Sequence, residues 1–402
     1  MRRLLFFILF ILGLTLGSLL NQAGRARDVY QSICELVELH FYRDDTHLTE
    51  WVAECRRRAA ALPMYARPES LLGSVQDLMN KMGVSHFQIY NPAEDRQLWK
   101  GEGIDTGIRS RYVEDHLIVY RVIPESAGAR AGIKAGDEVL QITGTDQVTP
   151  WGAQHRSGRF LLKRGERTLE VTLASGSLTP DYSPSIHPLG KTQAVLEIPS
   201  FRSDFFAVEA WTKITAQLKP YSHLIVDVRE NSGGNFVAML RALSTFTCGE
   251  RRVGRLLQPR KKLPVKTAFD DNTEDRYQIE ELDRYRDLGL TTFTHYGCFK
   301  GKITVLVSAE TSSVAEIFAG SFLGRPNARV WGQPTAGDVV LAVWYDLPGI
   351  GPGYSVSIPE AVFLTPQGKE LEGQGVWPER ELFYDLTLSL KGIDTWVDRA
   401  AR

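Results

Sequence analysis

The 402-residue chain has only four cysteines, and none falls in a CxxC or Cys/His spacing that would hold a metal. It has no long low-complexity tract and no internal repeat, which excludes repeat architectures. An excess of one charge is missing too. Lys plus Arg number 47 and Asp plus Glu 48, a net charge of −1, so no nucleic-acid partner is indicated. No lysine followed by serine or threonine stands after the glycines of Asn231-Ser232-Gly233-Gly234-Asn235, which argues against a nucleotide cradle. No cofactor is expected. What is present is ordinary for a globular chain with a real core: 43% hydrophobic and 24% charged residues. The length predicts two or three domains.

One long apolar run stands out, Leu4 to Leu20, preceded by Arg2 and Arg3 and followed by polar residues. A basic flank before such a run predicts export through a signal peptide or signal-anchor over residues 1–24. Gly17, Ser18 and Ala23 make no clean small-x-small site, so cleavage and retention in the inner membrane by residues 4–20 both stay open. The expected location is periplasmic or otherwise extracytoplasmic. There, Cys34, Cys55, Cys248 and Cys298 could form two disulfides. Cys34 with Cys55 would staple two N-terminal helices, and Cys248 with Cys298 would close an insertion. Three pairings, and four free thiols, remain open.

Residues 25–100 form an expected helical region. Apolar residues recur at three- and four-residue steps through about residue 82, and Gly83 is a plausible end for the third helix. Val84 to Tyr90 alternates like a half-buried strand and puts Ser85 and His86 at its start. Residues 101–178 read as a small β-rich module, with a helix-like stretch near Trp151 to Phe160. A Pro/Ser-rich linker follows. From 179 to 390, strands alternate with helices, which predicts a parallel sheet with crossovers. The segment from about Arg251 to Tyr296 is charged and reads as an insertion over one face. Residues 391–402 read as a tail.

Lys302 to Gly337 organises this core. An apolar strand, Ile303 to Val307, leads through a polar turn into SVAEIFAGSFL, so Ser313 sits where a strand becomes a helix. Unpaired N–H groups and the positive helix end are available there. A hydroxyl at that point can attack a carbonyl while N–H groups hold the oxyanion. The plainer reading is a helix cap at Ser312 or Ser313. Glu372, just before Gly373-Gln374-Gly375, reads locally as a solvated turn residue.

Residues 103–177, with Pro124 to Gly144 ending in GDEVLQITG, resemble a PDZ domain. Such modules bind extended chain ends by strand addition, and the resemblance implies a carboxylate-capturing loop at Thr106, Gly107 and Ile108. The alternative is a β module serving only as a spacer. That module, IVDVRENSGGN, VLVSAETSSVAEIFAG, VWGQPTAG and GKELEGQGVWPE, in this order over roughly residues 84–380, resemble the carboxyl-terminal processing (tail-specific) peptidases, which include the tricorn core. The implied fold is α/β: a crotonase-like parallel-sheet protease core with an inserted PDZ domain and an N-terminal helical region.

The resemblance places the nucleophile on Ser313. Dyad members carry lysine just after GxPTxG, where this chain has Asp338. It is therefore closer to the tricorn-like branch, which implies His86 as base with Ser85 beside it and Glu372 as the distant acid. Gly233, Gly234 and Val314 would supply oxyanion N–H groups. The implied activity is serine endopeptidase cleavage of exported proteins or peptides. The alternative is a catalytically inactive PDZ scaffold that binds peptides.

Overall fold

The computed structural model describes residues 25–43, 45–63, 66–100, 103–174, 176–178 and 181–402. The expected export segment lies outside them. No helix among the described residues is long and apolar enough to cross a membrane. The chain divides into two compact units that do not follow contiguous stretches.

The first unit collects the residues up to Asp95 with Arg252–Thr291 and Gly337–Gln374. Its N-terminal helices are 25–40, Thr46–Ala60 and Leu72–Asn80, the last entered through a 3-10 turn at Pro68–Leu71. Asp45 caps the second helix by accepting from the Leu48 N–H at 3.0 Å, which satisfies a donor the helix start leaves open. Tyr30, Ile33 and Val37 fall on one helical face and are buried with Trp51, Val75 and Met79. Cys34 and Cys55 form a disulfide between the first two helices, with Cα atoms 5.8 Å apart.

These helices pack on a sheet built around Ser355–Leu364, every residue of which is buried. Gln88–Tyr90, Arg252–Leu257 and Val340–Asp346 all pair with it antiparallel. Two expectations change here. The strand expected from Val84 begins only at Gln88, and Ser85 and His86 sit in a turn. The charged segment after Arg251 is no mere cover, because Arg252–Leu257 and Asp287–Thr291 are integral strands of this sheet.

The second unit contains Arg96–Arg251, Thr292–Ala336 and Gly375–Arg402. One part is a five-stranded antiparallel sheet of Ile108–Val113, His116–Val122, Glu138–Ile142, Gly158–Arg164 and Arg167–Leu173. Two short helices, Ala127–Arg130 and Pro150–His155, accompany it over a core of Ile108, Val119, Ile142, Phe160 and Leu162. The helix expected to run to Phe160 stops at His155, and Phe160 is an inward strand residue.

The other part is a six-stranded sheet in the order Arg380–Glu381, Ala328–Gly332, Lys302–Val307, His223–Asp227, Gln193–Glu197, Ser185–Pro188. All neighbours are parallel except the last pair. This is the parallel sheet that the alternating strands and helices predict. Helix Phe236–Thr247 is buried at every position from Phe236 to Phe246, and its buried Arg241 and Ser244 donate to Phe206 O and Leu240 O. The expected tail is ordered: Trp396, in helix Thr395–Ala401, is fully buried and stacks on Tyr384 at 4.2 Å. Cys248 and Cys298 form the second disulfide.

Candidate active site

In the second unit, Ser313 stands between strand Lys302–Val307 and helix Val314–Gly320. Its φ is 59° and ψ −132°, a backbone region that L residues adopt only under constraint. Glu316 supplies part of the constraint. This fully buried carboxylate accepts from the Ser313 N–H at 3.1 Å and from the Thr335 hydroxyl. Thr335 in turn accepts from the Val376 N–H at 2.7 Å. Gly375 permits the approach: a Cβ there would lie 2.9 Å from Thr335 O and 3.2 Å from Glu316 Oε2.

The preceding turn is stitched to the glycine loop. The Ser312 N–H donates to Asn231 O at 3.1 Å, and its hydroxyl donates to Ser232 O at 3.1 Å. Thr311 donates its hydroxyl to Val228 O at 2.9 Å. Asn231, fully buried, donates to Ile198 O and accepts from the Gly233 N–H at 2.8 Å. The Gly233 N–H is therefore already engaged, and this residue serves the site by closeness instead. A Cβ on Gly233 would lie 2.6 Å from the Ser313 Cβ. Gly234 is exposed, and Val314 begins its helix, where an N–H has no partner within the helix. Ser313 itself is half-buried.

In the first unit, Ser85, His86 and Glu372 come together. Glu372 accepts the Ser85 N–H at 2.8 Å, the Ser85 hydroxyl at 3.0 Å, and the N–H groups of Val339 and Val340 at 2.7 and 3.1 Å. Glu372 is thus no freely solvated turn residue. The Ser85 Oγ also lies 3.0 Å from His86 Nδ1. A carboxylate only accepts, so the single hydroxyl proton of Ser85 goes to Glu372. Ser85 can then only accept from Nδ1–H, and this assigns the neutral imidazole its lone pair on Nε2. The His86 backbone has φ 54°, and its carbonyl accepts from the Ser357 hydroxyl at 2.6 Å. Burial lowers the His86 pKa below its usual value, while the charges of Asp338 and Glu372 pull it back up.

The loop at Thr106, Gly107 and Ile108 needs correction. All three residues are buried, and their N–H groups are taken from within. Thr106 donates to Gln154 O at 2.8 Å, Gly107 to Asp105 Oδ1 at 2.6 Å, and Ile108 to Thr106 Oγ1 at 3.2 Å. The backbone N–H groups of these three residues are thus not spare donors for a ligand carboxylate. Sequence reasoning also passed over Glu316 and Thr335. A serine followed three positions later by glutamate is a capping-box spacing, and a lone acid in an otherwise apolar helix was the available signal.

Residues 192–382 match the model of the family described as Peptidase family S41. A "Carboxyl-terminal-processing protease" of Picosynechococcus sp. is 24% identical over 364 residues, covering 84% of this chain and 79% of its own. A "Probable CtpA-like serine protease" of Staphylococcus haemolyticus is 20% identical over 305 residues, 73% of this chain. The chain spans 56% of the length of that relative. Among solved structures, a photosystem II D1 C-terminal processing protease aligns over 92% of this chain and 98% of its own, with TM-score 0.55 and 17% identity, a likeness of fold. By these matches the chain is similar to serine-type peptidases. The relatives they bring with them are proteases of the carboxyl-terminal processing kind.

Proposed function

We propose that this chain is an exported serine endopeptidase in which Ser313 attacks a peptide carbonyl. His86 Nε2 takes the hydroxyl proton and returns it to the leaving amine. Glu372, acting through Ser85, holds the imidazole and stabilises its charged form. Gly234 and Val314 N–H groups receive the oxyanion, each worth about 3–4 kcal/mol. The hydrogen-bonded run Glu372–Ser85–His86 carries this reading. It supplies a base in a chain that has Asp338 where a dyad enzyme has lysine. The β module at 101–178 acts as a PDZ domain that receives an extended stretch of the protein or peptide substrate. Two disulfides support an oxidising compartment, reached through residues 1–24.

Labelling with a fluorophosphonate tests the assignment. The parent chain reacts, Ser313→Ala does not, and His86→Ala reacts at a rate lower by about 10²–10⁴-fold. Full reactivity and peptidase activity in His86→Ala would remove the histidine from the mechanism. No labelling of the folded parent chain would favour the inactive peptide-binding scaffold.

A further inference from the structure

The loop that a PDZ module uses for a terminal carboxylate already holds one. Asp105 is 7% exposed, and four donors meet its carboxylate. Gly107 N–H lies at 2.6 Å, Arg109 Nη1 and Nη2 at 3.0 and 2.9 Å, and Gln154 Nε2 at 3.0 Å. The paired fork of Arg109 is the geometry with which a guanidinium receives a carboxylate. The other end of the loop is also closed, because the Thr106 hydroxyl donates to Ala153 O at 2.7 Å and ties it to helix Pro150–His155.

An incoming α-carboxylate would meet a like charge and would find its donors spent. The strand that follows is different. Ile108–Val113 ends the five-stranded sheet, pairing only with His116–Val122 among the described strands. A sheet edge of this kind can add an extended segment without contacting that segment's end.

We propose that Asp105 is the resident occupant of the carboxylate loop, so that the module selects internal or blocked extended segments over free chain ends. Arg109 is then a latent carboxylate receptor, released when Asp105 is removed. This rests on reading residues 101–178 as a PDZ module.

The test uses the isotope-labelled full chain carrying Ser313→Ala, with acetyl-Ser-Val-Ala-Ala added at millimolar concentration as free acid or as amide. The expected result is that both forms shift the edge-strand amides of Ser110 and Tyr112 alike, while those of Gly107 and Ile108 stay in place. With Asp105→Ala added, the free acid should bind about tenfold tighter than the amide and move the Gly107 signal. Asp105→Asn, which keeps the side-chain volume, should show a smaller preference of the same sign and serves if the alanine variant does not fold. A parent chain that prefers the free acid, or Asp105 variants that show no preference, would overturn the proposal and leave the module reading intact. Edge-strand amides unmoved by either peptide in every variant would sink the module reading itself.

Discussion

Ser85 is a small residue with a large consequence, because its one proton decides which imidazole nitrogen is basic. Ser85→Ala removes the acceptor for Nδ1–H and lets the ring choose its tautomer. We expect kcat to fall roughly 10²–10⁴-fold with KM little changed, as measured with a fluorogenic peptide. Asp338 acts on the same ring by charge. Burial holds the His86 pKa below 6.5, so the acid limb of kcat/KM should lie below pH 6.5. Asp338 raises that pKa, so Asp338→Asn should move the limb to lower pH. A limb that moves upward, or stays put, would show that the titrating group is not His86.

Paired strands carry a second pH dependence. His223, on strand His223–Asp227, lies 3.1 Å through Nε2 from the Thr304 hydroxyl on strand Lys302–Val307. Burial first, and the Lys302 charge second, push its pKa down to about 4 from 6.5. Above pH 6.5 the ring is neutral whether folded or unfolded, and stability is complete. Between 6.5 and about 4 only the unfolded chain takes up the proton, so stability falls as pH falls, by roughly 1–3 kcal/mol. Denaturant melts of His223→Gln should show a shallower acid decline. The strands themselves were legible, since apolar β-branched runs bounded by turns such as Ile303 to Val307 need no tertiary information. The turn at Ser85 and His86 was not, because its positive φ at His86 is held by Ser357, more than two hundred residues away. Likewise, the pattern at Thr106 to Ile108 identified a loop but could not say which acceptors would already occupy its donors. The charged stretch after Arg251 hid the strand Arg252–Leu257 because its buried residues interleave with Arg252 and Arg255.

At the scale of the whole chain, each unit is cross-linked once. Cys34–Cys55 spans a sequence separation of 21 and Cys248–Cys298 one of 50. By loop-closure entropy the first should be worth about 3 kcal/mol and the second about 4 kcal/mol. Thermal melts of the paired serine variants, Cys34 with Cys55 and Cys248 with Cys298, should rank in that order. The Cys248–Cys298 link follows helix Phe236–Thr247, and the loop Asn231–Gly234 runs directly into that helix, with Asn235 capping it through the Ala238 N–H at 2.9 Å. A rod sheathed by protein on all sides gives up its amide protons to deuterium only in the deepest opening events. In the proposed mechanism the exposed Gly234 is thereby moored to a deeply buried helix, so thermal fluctuation would not smear the electrostatic target that a transition state must meet.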